Sequence, residues 1–174
     1  MTRSVLRIGV MELRRRPGTQ RDVRLAVALE GLAISSAEVP AGAEVVVDAV
    51  LEASDGAVTI KGSVAAPWVG ECRRCLEPVE GVLEVALDEI FESKPTEGET
   101  YPLVDDEVDL EPVLRDAVLL SLPLAPLCRQ DCPGPAPEQF PAIAADDQDR
   151  SEGDASGEHV PDPRWAALEQ LKFD

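Results

Sequence analysis

The sequence has only one histidine, His159. Most Ser-His and Cys-His nucleophilic sites are therefore excluded, because they depend on a histidine as the general base. The chain also has no glycine-rich phosphate loop and no His-Glu-x-x-His motif. Its carboxylates are abundant, but none is paired in a way that separates a catalytic group from a solvated surface. We therefore expect a protein that is not an enzyme and has no small-molecule substrate.

Aromatic residues are scarce, at 3% of the 174 residues, whereas hydrophobic residues make up 44%. A core of ordinary size can still form, but it must be built from Val, Leu, Ile and Ala. The length suits one domain with tails.

Long apolar runs are missing as well. No segment approaches the ~20 apolar residues of a membrane span, and the start of the chain lacks the uninterrupted apolar run of a secretory signal. We expect a cytoplasmic protein without a membrane partner. Thiols stay reduced in the cytosol, so paired cysteines there are more often metal ligands or redox groups than disulfides.

Positive charge is rare and unevenly placed. The net charge is −18, which argues against a general nucleic-acid binder because an acidic surface repels phosphate. Seven of the 16 basic residues nevertheless fall in the first 24 positions, opposed only by Glu12 and Asp22. This segment therefore carries +5 and the remainder −23. We interpret residues 1–19 as a basic N-terminal arm with a solvated arginine cluster, and an RNA-reading arm is the weaker alternative.

Alternating apolar residues predict strands over residues 21–29, 44–53, 57–65 and 79–91, with Asp55-Gly56 at the centre of a hairpin turn. The third strand is expected to continue through residues 67–70 into the cysteine turn. A short helix is expected over residues 8–15 and a polar loop over 92–109. A core helix is expected from an Asp109 cap to Pro123, with an apolar face that includes Leu120. The predicted fold is α+β: a small antiparallel, barrel-like sheet with one main packed helix. We assign residues 20–133 to this domain, 134–161 to a disordered acidic linker, and 162–174 to a short C-terminal helix.

The four cysteines form two local pairs, Cys72/Cys75 and Cys128/Cys132. Together they could supply the four thiolates of a structural zinc site, and the arginines beside them would favour thiolates. Free, partly buried cysteines are the next interpretation. A redox pair at Cys72/Cys75 is the third, but such pairs usually open a helix after a strand, whereas this pair lies between two strands. His159 falls in the predicted tail and is not expected to be a ligand.

Four segments together resemble the YceD family: RRRPGTQRDV, GECRRCLEP, DLEPVLRDAVLLSLPLAPLCRQDCPG and DPRWAALEQLK. Many relatives carry a further cysteine pair after Cys132, but this sequence continues GPAPEQFPAIAADD, so a metal site must use the four cysteines above. The residues that match the two central motifs are Cys72, Arg74, Cys75, Leu76, Asp109, Leu110, Asp116, Leu122, Pro123 and Cys128.

The resemblance implies a role in synthesis, processing or stability of large-subunit ribosomal RNA during ribosome assembly. Direct RNA binding would use Arg14, Arg15 and Arg16 together with Arg73 and Arg74. Indirect action would place the acidic surface on a basic ribosomal or ribosome-assembly protein, and the charge balance favours this route. Two alternatives remain open: a zinc-stabilised protein-interaction adaptor unrelated to rRNA, and a thiol redox protein.

Overall fold

A computed structural model describes residues 6–16, 18–54, 56–136 and 138–139. These residues form eight strands and two helices, so the fold is mostly sheet and broadly α+β, as predicted. The elements in chain order are β1 (Arg7–Gly9), α1 (Met11–Arg15), β2 (Gln20–Ala28), β3 (Ala37–Glu38), β4 (Glu44–Ser54), β5 (Ala57–Glu71), β6 (Pro78–Glu92), β7 (Tyr101–Val104), β8 (Glu107–Asp109) and α2 (Leu110–Ser121).

The strands form one sheet, curled into a half-barrel, in the order β1-β8-β7-β6-β5-β4-β2, with β3 pairing the far end of β5. All pairings are antiparallel except that of β6 with β7, which is parallel and two residue pairs long. The end strands β1 and β2 are consecutive in the chain and joined through α1. The guanidinium of Arg21 donates to the carbonyl of Gly9 at 3.0 Å, which links the two ends of the sheet.

The long adjacent strands β4, β5 and β6 form the central part of the sheet. Strand β4 buries Val45, Val47, Ala49 and Leu51, as its alternation predicts. Its hairpin with β5 turns at residues 55 and 56, and Gly56 has the positive φ of 90° that such a turn favours. Asp55 lies outside the described residues. Strand β5 runs on through residues 67–70 into the cysteine turn, as predicted, and pairs with β6 from Val58 to Glu71.

Gly62 marks a close approach of β5 to β4. A Cβ atom at this position would lie 2.2 Å from the backbone oxygen of Asp48. Only glycine fits there without moving one of the two strands.

Helix α2 begins where the sequence predicts. The side chain of Asp109 accepts a hydrogen bond from the amide of Glu111 at 3.1 Å and so caps the first turn. The helix buries Leu110, Val113, Leu114 and Val118 in the core. The prediction was wrong for Leu120, which is 86% exposed, because two further residues rotate it by about 200° from Val118.

Two segments differ from expectation. Residues 92–109 are not a polar loop throughout, since they contain β7 and β8, joined by a turn in which Asp105 and Asp106 both have positive φ. Short aspartate side chains tolerate this backbone region. At the start of the chain, the helix spans Met11–Arg15 rather than residues 8–15, because residues 7–9 pair with β8.

The predicted C-terminal helix at 162–174 and His159 lie outside the described residues, as does most of the predicted linker. No helix in the described ranges is long and apolar enough to cross a membrane.

Candidate metal centre

The first cysteine pair lies in a tight turn that joins β5 to β6, and residues 72–77 of this turn are called the cysteine knuckle below. Its base is the last residue pair of the hairpin, Glu71 with Pro78. The amide of Cys72 donates to the carbonyl of Glu77 at 2.8 Å, and the amide of Leu76 donates to the carbonyl of Cys72 at 2.9 Å. These bonds fold the knuckle back on itself and place both thiols at the end of the sheet.

The second pair lies in residues 123–134, called the cysteine loop below, which follow α2. The amide of Arg73 donates to the carbonyl of Pro126 at 2.9 Å. The guanidinium of Arg74 donates to the carbonyls of Gln130 and Cys132, at 3.1 and 3.0 Å. Both arginines of the knuckle, one through its backbone and one through its side chain, therefore hold the loop in place.

The four thiols meet. The distance between Sγ atoms is 3.8 Å for Cys72 and Cys132 and 3.8 Å for Cys75 and Cys128, and all four sulfurs lie within 4.8 Å of one another. A regular tetrahedral zinc site with Zn–S bonds of about 2.3 Å has sulfur–sulfur edges of about 3.8 Å. The two contacts between the pairs match this edge, so the donor set and its spacing are compatible with zinc.

The four sulfurs differ in environment. Cys72 and Cys132 are buried, Cys75 is half-buried and Cys128 is exposed. Backbone N–H groups of Cys75 and Cys128 that face Cys72 lower the pKa of its thiol to about 6. The adjacent thiol of Cys132 and desolvation raise the pKa of Cys128 to about 12. The thiol of Cys72 is therefore the more acidic of the two.

The pKa of the Cys75 thiol is raised, like that of Cys128 and unlike that of Cys72. A hydrogen bond from the backbone of Glu77 lowers the pKa of Cys75, but desolvation and the sulfurs of Cys72 and Cys132 outweigh it, so the pKa is raised overall. A metal ion bound by the four sulfurs would displace the thiol protons that remain.

The five candidate RNA-binding arginines do not lie together. Arg14 and Arg15 line a cavity of about 410 Å³ beside the β4–β5 turn, with Arg16 next to them in the chain. Arg73 and Arg74 lie at the opposite end of β5, which is about 45 Å long if its 15 residues are fully extended. The structure therefore offers two separate basic sites rather than one continuous patch.

Several arginines near the start of the chain are paired internally. Arg14 pairs with Asp106, Arg7 with Asp109 at 3.1 Å, and Arg24 with Asp48 at 3.3 Å. Arg15 and Arg16 are exposed and form no ion pair with any other described residue. Part of the positive charge counted from the sequence is thus neutralised by the protein's own carboxylates.

Sequence reasoning missed two of these contacts. It expected the charge of Arg74 to favour thiolates and to be available to RNA, but it did not expect the hydrogen bonds from this guanidinium to the cysteine loop. It also placed Asp106 in a solvated loop, and no local pattern announces its pairing with Arg14, 92 residues away.

Comparisons with known proteins agree with the motifs. A family model described as "Large ribosomal RNA subunit accumulation protein YceD" matches residues 60–172. An uncharacterized protein of Mycobacterium bovis is 36% identical over an alignment of 181 positions, which covers 97% of this chain and 82% of the relative. The uncharacterized protein YlbN of Bacillus subtilis is 30% identical over 118 residues, covering 65% of this chain and 63% of that protein. No solved structure matches the chain significantly. The resemblance found in the motifs is thus confirmed, and this chain belongs to the YceD family of large ribosomal RNA subunit accumulation proteins.

Proposed function

We propose that this protein is a non-enzymatic cytoplasmic factor that supports the synthesis, processing or stability of large-subunit rRNA by binding a basic ribosomal or ribosome-assembly protein. The family description supports the link to rRNA. The main support for action through a protein partner, rather than by direct RNA binding, is that several arginines are paired within the protein. Arg7, Arg14 and Arg24 already contact carboxylates. The positive charge left for phosphate is therefore small and divided between two distant sites.

The partner surface that we propose is the outer face of β4, β5 and β6, away from the core. Glu80 and Glu84 are exposed there and form no ion pair with another described residue. Val46 and Val82 are exposed on the same face, and Val46 and Glu84 both pair with Ala65 of β5. Exposed apolar side chains among unpaired carboxylates suit a basic protein with an apolar contact of its own.

We further propose that zinc, held by Cys72, Cys75, Cys128 and Cys132, fixes the cysteine loop to the end of the sheet. The match of the two 3.8 Å sulfur contacts to a tetrahedral edge supports this assignment. Backbone N–H groups facing Cys72 would offset part of the negative charge of a four-thiolate site. The role proposed for the metal is structural, because four protein ligands leave no open position for a substrate.

The proposal is tested by deleting the gene and complementing it with variants. Deletion should lower large-subunit rRNA relative to small-subunit rRNA, and the wild-type chain should restore it. The double variant E80K/E84K should fail to restore it although the protein accumulates normally. A double variant on the same sheet face that removes an existing ion pair, K61A/D88A, is the matched control and should complement.

Affinity capture of the wild type and of E80K/E84K identifies the partner class. A basic ribosomal or assembly protein should be captured by the wild type and lost in E80K/E84K. Unchanged rRNA levels after deletion, together with capture of a defined non-ribosomal protein, would instead establish the zinc-stabilised adaptor unrelated to rRNA.

A further inference from the structure

Leu76 of the cysteine knuckle occupies a backbone conformation that disfavours leucine. Its φ is 64°, in the left-handed region that glycine and asparagine adopt more readily than residues with branched or bulky side chains. Its side chain is 66% exposed, so burial within the described residues does not compensate for the strain. The hydrogen bonds of the knuckle fix this backbone conformation but leave most of the apolar side chain without cover from the described residues.

The exposed side chain of Leu76 lines a groove of about 530 Å³ between the knuckle and the segment before β3. We call this the knuckle groove. Its apolar walls come from Ile34, Ala37, Val69 and Pro78 in addition to Leu76. A groove of this size and lining accommodates large apolar side chains.

The chain passes the cysteine knuckle shortly before the described residues end. A Cβ atom built on Gly134 would lie 3.8 Å from the carbonyl oxygen of Arg74 in the knuckle, and the described residues end at 139. The sequence that follows ends with DPRWAALEQLKFD, in which Trp165, Leu168 and Leu171 recur at intervals of three. A coil of about 20 residues has an end-to-end distance of roughly 25 Å. Residues 140–161 are therefore long enough to bring this terminal sequence back to the knuckle at a high effective concentration.

The groove also offers carboxylates to a basic residue of the terminal sequence. Glu38 and Glu71 line the knuckle groove together with Arg73, and the terminal sequence carries Arg164 beside Trp165. An indole inserted between the apolar walls would place this guanidinium near the two carboxylates.

We propose that the knuckle groove binds the C-terminal segment 162–172 of the same chain, with Trp165 packed against Leu76. The binding makes the end of the chain part of the cysteine end of the sheet. It also gives the leucine in the left-handed position the contact that the described residues do not provide. This inference concerns the chain's own assembly and does not depend on the rRNA role or on the identity of a partner.

The test uses the indole N–H signals of the full-length protein in ¹⁵N–¹H NMR spectra. The chain has two tryptophans, Trp68 on β5 and Trp165, and the variant W165F assigns them. The wild type should show the Trp165 indole away from its random-coil position. In L76G this signal should move to the random-coil position, whereas in L124G, which truncates another exposed leucine outside the groove, it should stay.

The stability of L76G separates docking from a structural role. Glycine relieves the left-handed strain, so the Tm of L76G should equal or exceed that of the wild type while Trp165 is released. The variant L76N repeats the test with a residue that also tolerates this φ. A random-coil Trp165 signal in the wild type, no response to L76G, or a large loss of Tm in both variants would overturn the proposal. So would a Trp165 shift that depends on protein concentration, which would mean that a second copy fills the groove.

Discussion

The two ends of the central hairpin are held by different physical interactions. At the cysteine end, backbone and guanidinium hydrogen bonds draw together two thiol pairs separated by more than 50 residues. At the arginine end, around the β4–β5 turn, helix α1 is held by the apolar contact of Leu13 and by the Arg14–Asp106 ion pair. The first arrangement is suited to a metal, whose bonds are strong and specific, and the second depends on charges that solvent can screen.

The comparison distinguishes charged side chains that hold the protein together from those that are available to a partner. Counting residues along the chain suggests that the arginine end is a basic binding arm. In the structure, Arg14 is used to hold an acidic turn and Arg74 to hold a cysteine loop. An excess of positive charge in a stretch of sequence therefore does not measure the charge available to a partner.

The largest effect is expected from Cys72→Ser and Cys128→Ser. If zinc fixes the cysteine end, each variant should lose the metal, and loss of a structural metal site costs on the order of 4 kcal/mol of unfolding free energy. Native mass spectrometry of the copurified protein should give one zinc per wild-type chain and almost none in either variant. The two variants control for each other, because Cys72 is buried and Cys128 is exposed. Loss of packing alone would destabilise only the variant at Cys72, whereas loss of a shared metal would destabilise both. A destabilised C72S beside a C128S that behaves as wild type would show that the sulfurs are simply packed free thiols.

The next largest effect is expected from Gly62→Ala, because Gly62 lies on β5, the strand that joins the cysteine end to the arginine end. The added methyl group would contact the Asp48 carbonyl and force β4 and β5 apart, at a cost of about 3 kcal/mol. Urea denaturation measures this loss. Gly9→Ala is the matched control, since no atom lies within 4 Å of the new Cβ position there. Equal stability of the two variants would contradict the close approach.

A smaller effect is expected at the arginine end. A double-mutant cycle with Arg14→Ala and Asp106→Asn should give a coupling energy of about 0.5–1 kcal/mol at low salt, because both side chains are one-third exposed. Asparagine is chosen because it tolerates the positive φ of Asp106. The coupling should shrink towards zero at about 1 M NaCl, where the Debye length is ~3 Å. A coupling that is insensitive to salt would mean that this end is not held by screened charge.

The smallest effect is expected when Arg15 and Arg16 are changed to Ala and binding to large-subunit rRNA is measured by fluorescence anisotropy. Under the indirect route, binding is weak and the double variant differs little from the wild type. Direct binding predicts the opposite result: affinity that falls steeply with salt and is reduced by the substitutions. R73A is a companion variant, because it probes the basic site at the other end while leaving the backbone bond to Pro126 in place.

The sequence predicted best those elements whose burial repeats at a regular interval. Val45, Val47 and Ala49 alternate over a long strand, and Asp109 is a capping residue followed by an apolar helical face. It failed for β7 and β8, which are four and three residues long and too short to show an alternating pattern. The strand β8 also pairs with β1, about 100 residues before it in the chain. Local pattern cannot encode such a contact.

The candidate metal centre was predictable in its residues but not in its geometry. Two short cysteine spacings identify the four thiols, yet whether they meet depends on how α2 directs the loop that follows it. The bonds from Arg73 and Arg74 to that loop, and the left-handed φ of Leu76, arise only when the knuckle has folded. These features are properties of tertiary structure rather than of spacing.

The link between Arg21 and the carbonyl of Gly9 has a consequence for the behaviour of the protein at high concentration. Strands at the ends of an open sheet expose unpaired backbone groups, which invite another copy to add its own strand and start aggregation. Here the guanidinium of Arg21 binds one such carbonyl on β1, and the first half of β2 carries the charged residues Arg21, Asp22 and Arg24. The residues that give the start of the chain its basic character thus also protect the molecule against self-association through its sheet edges.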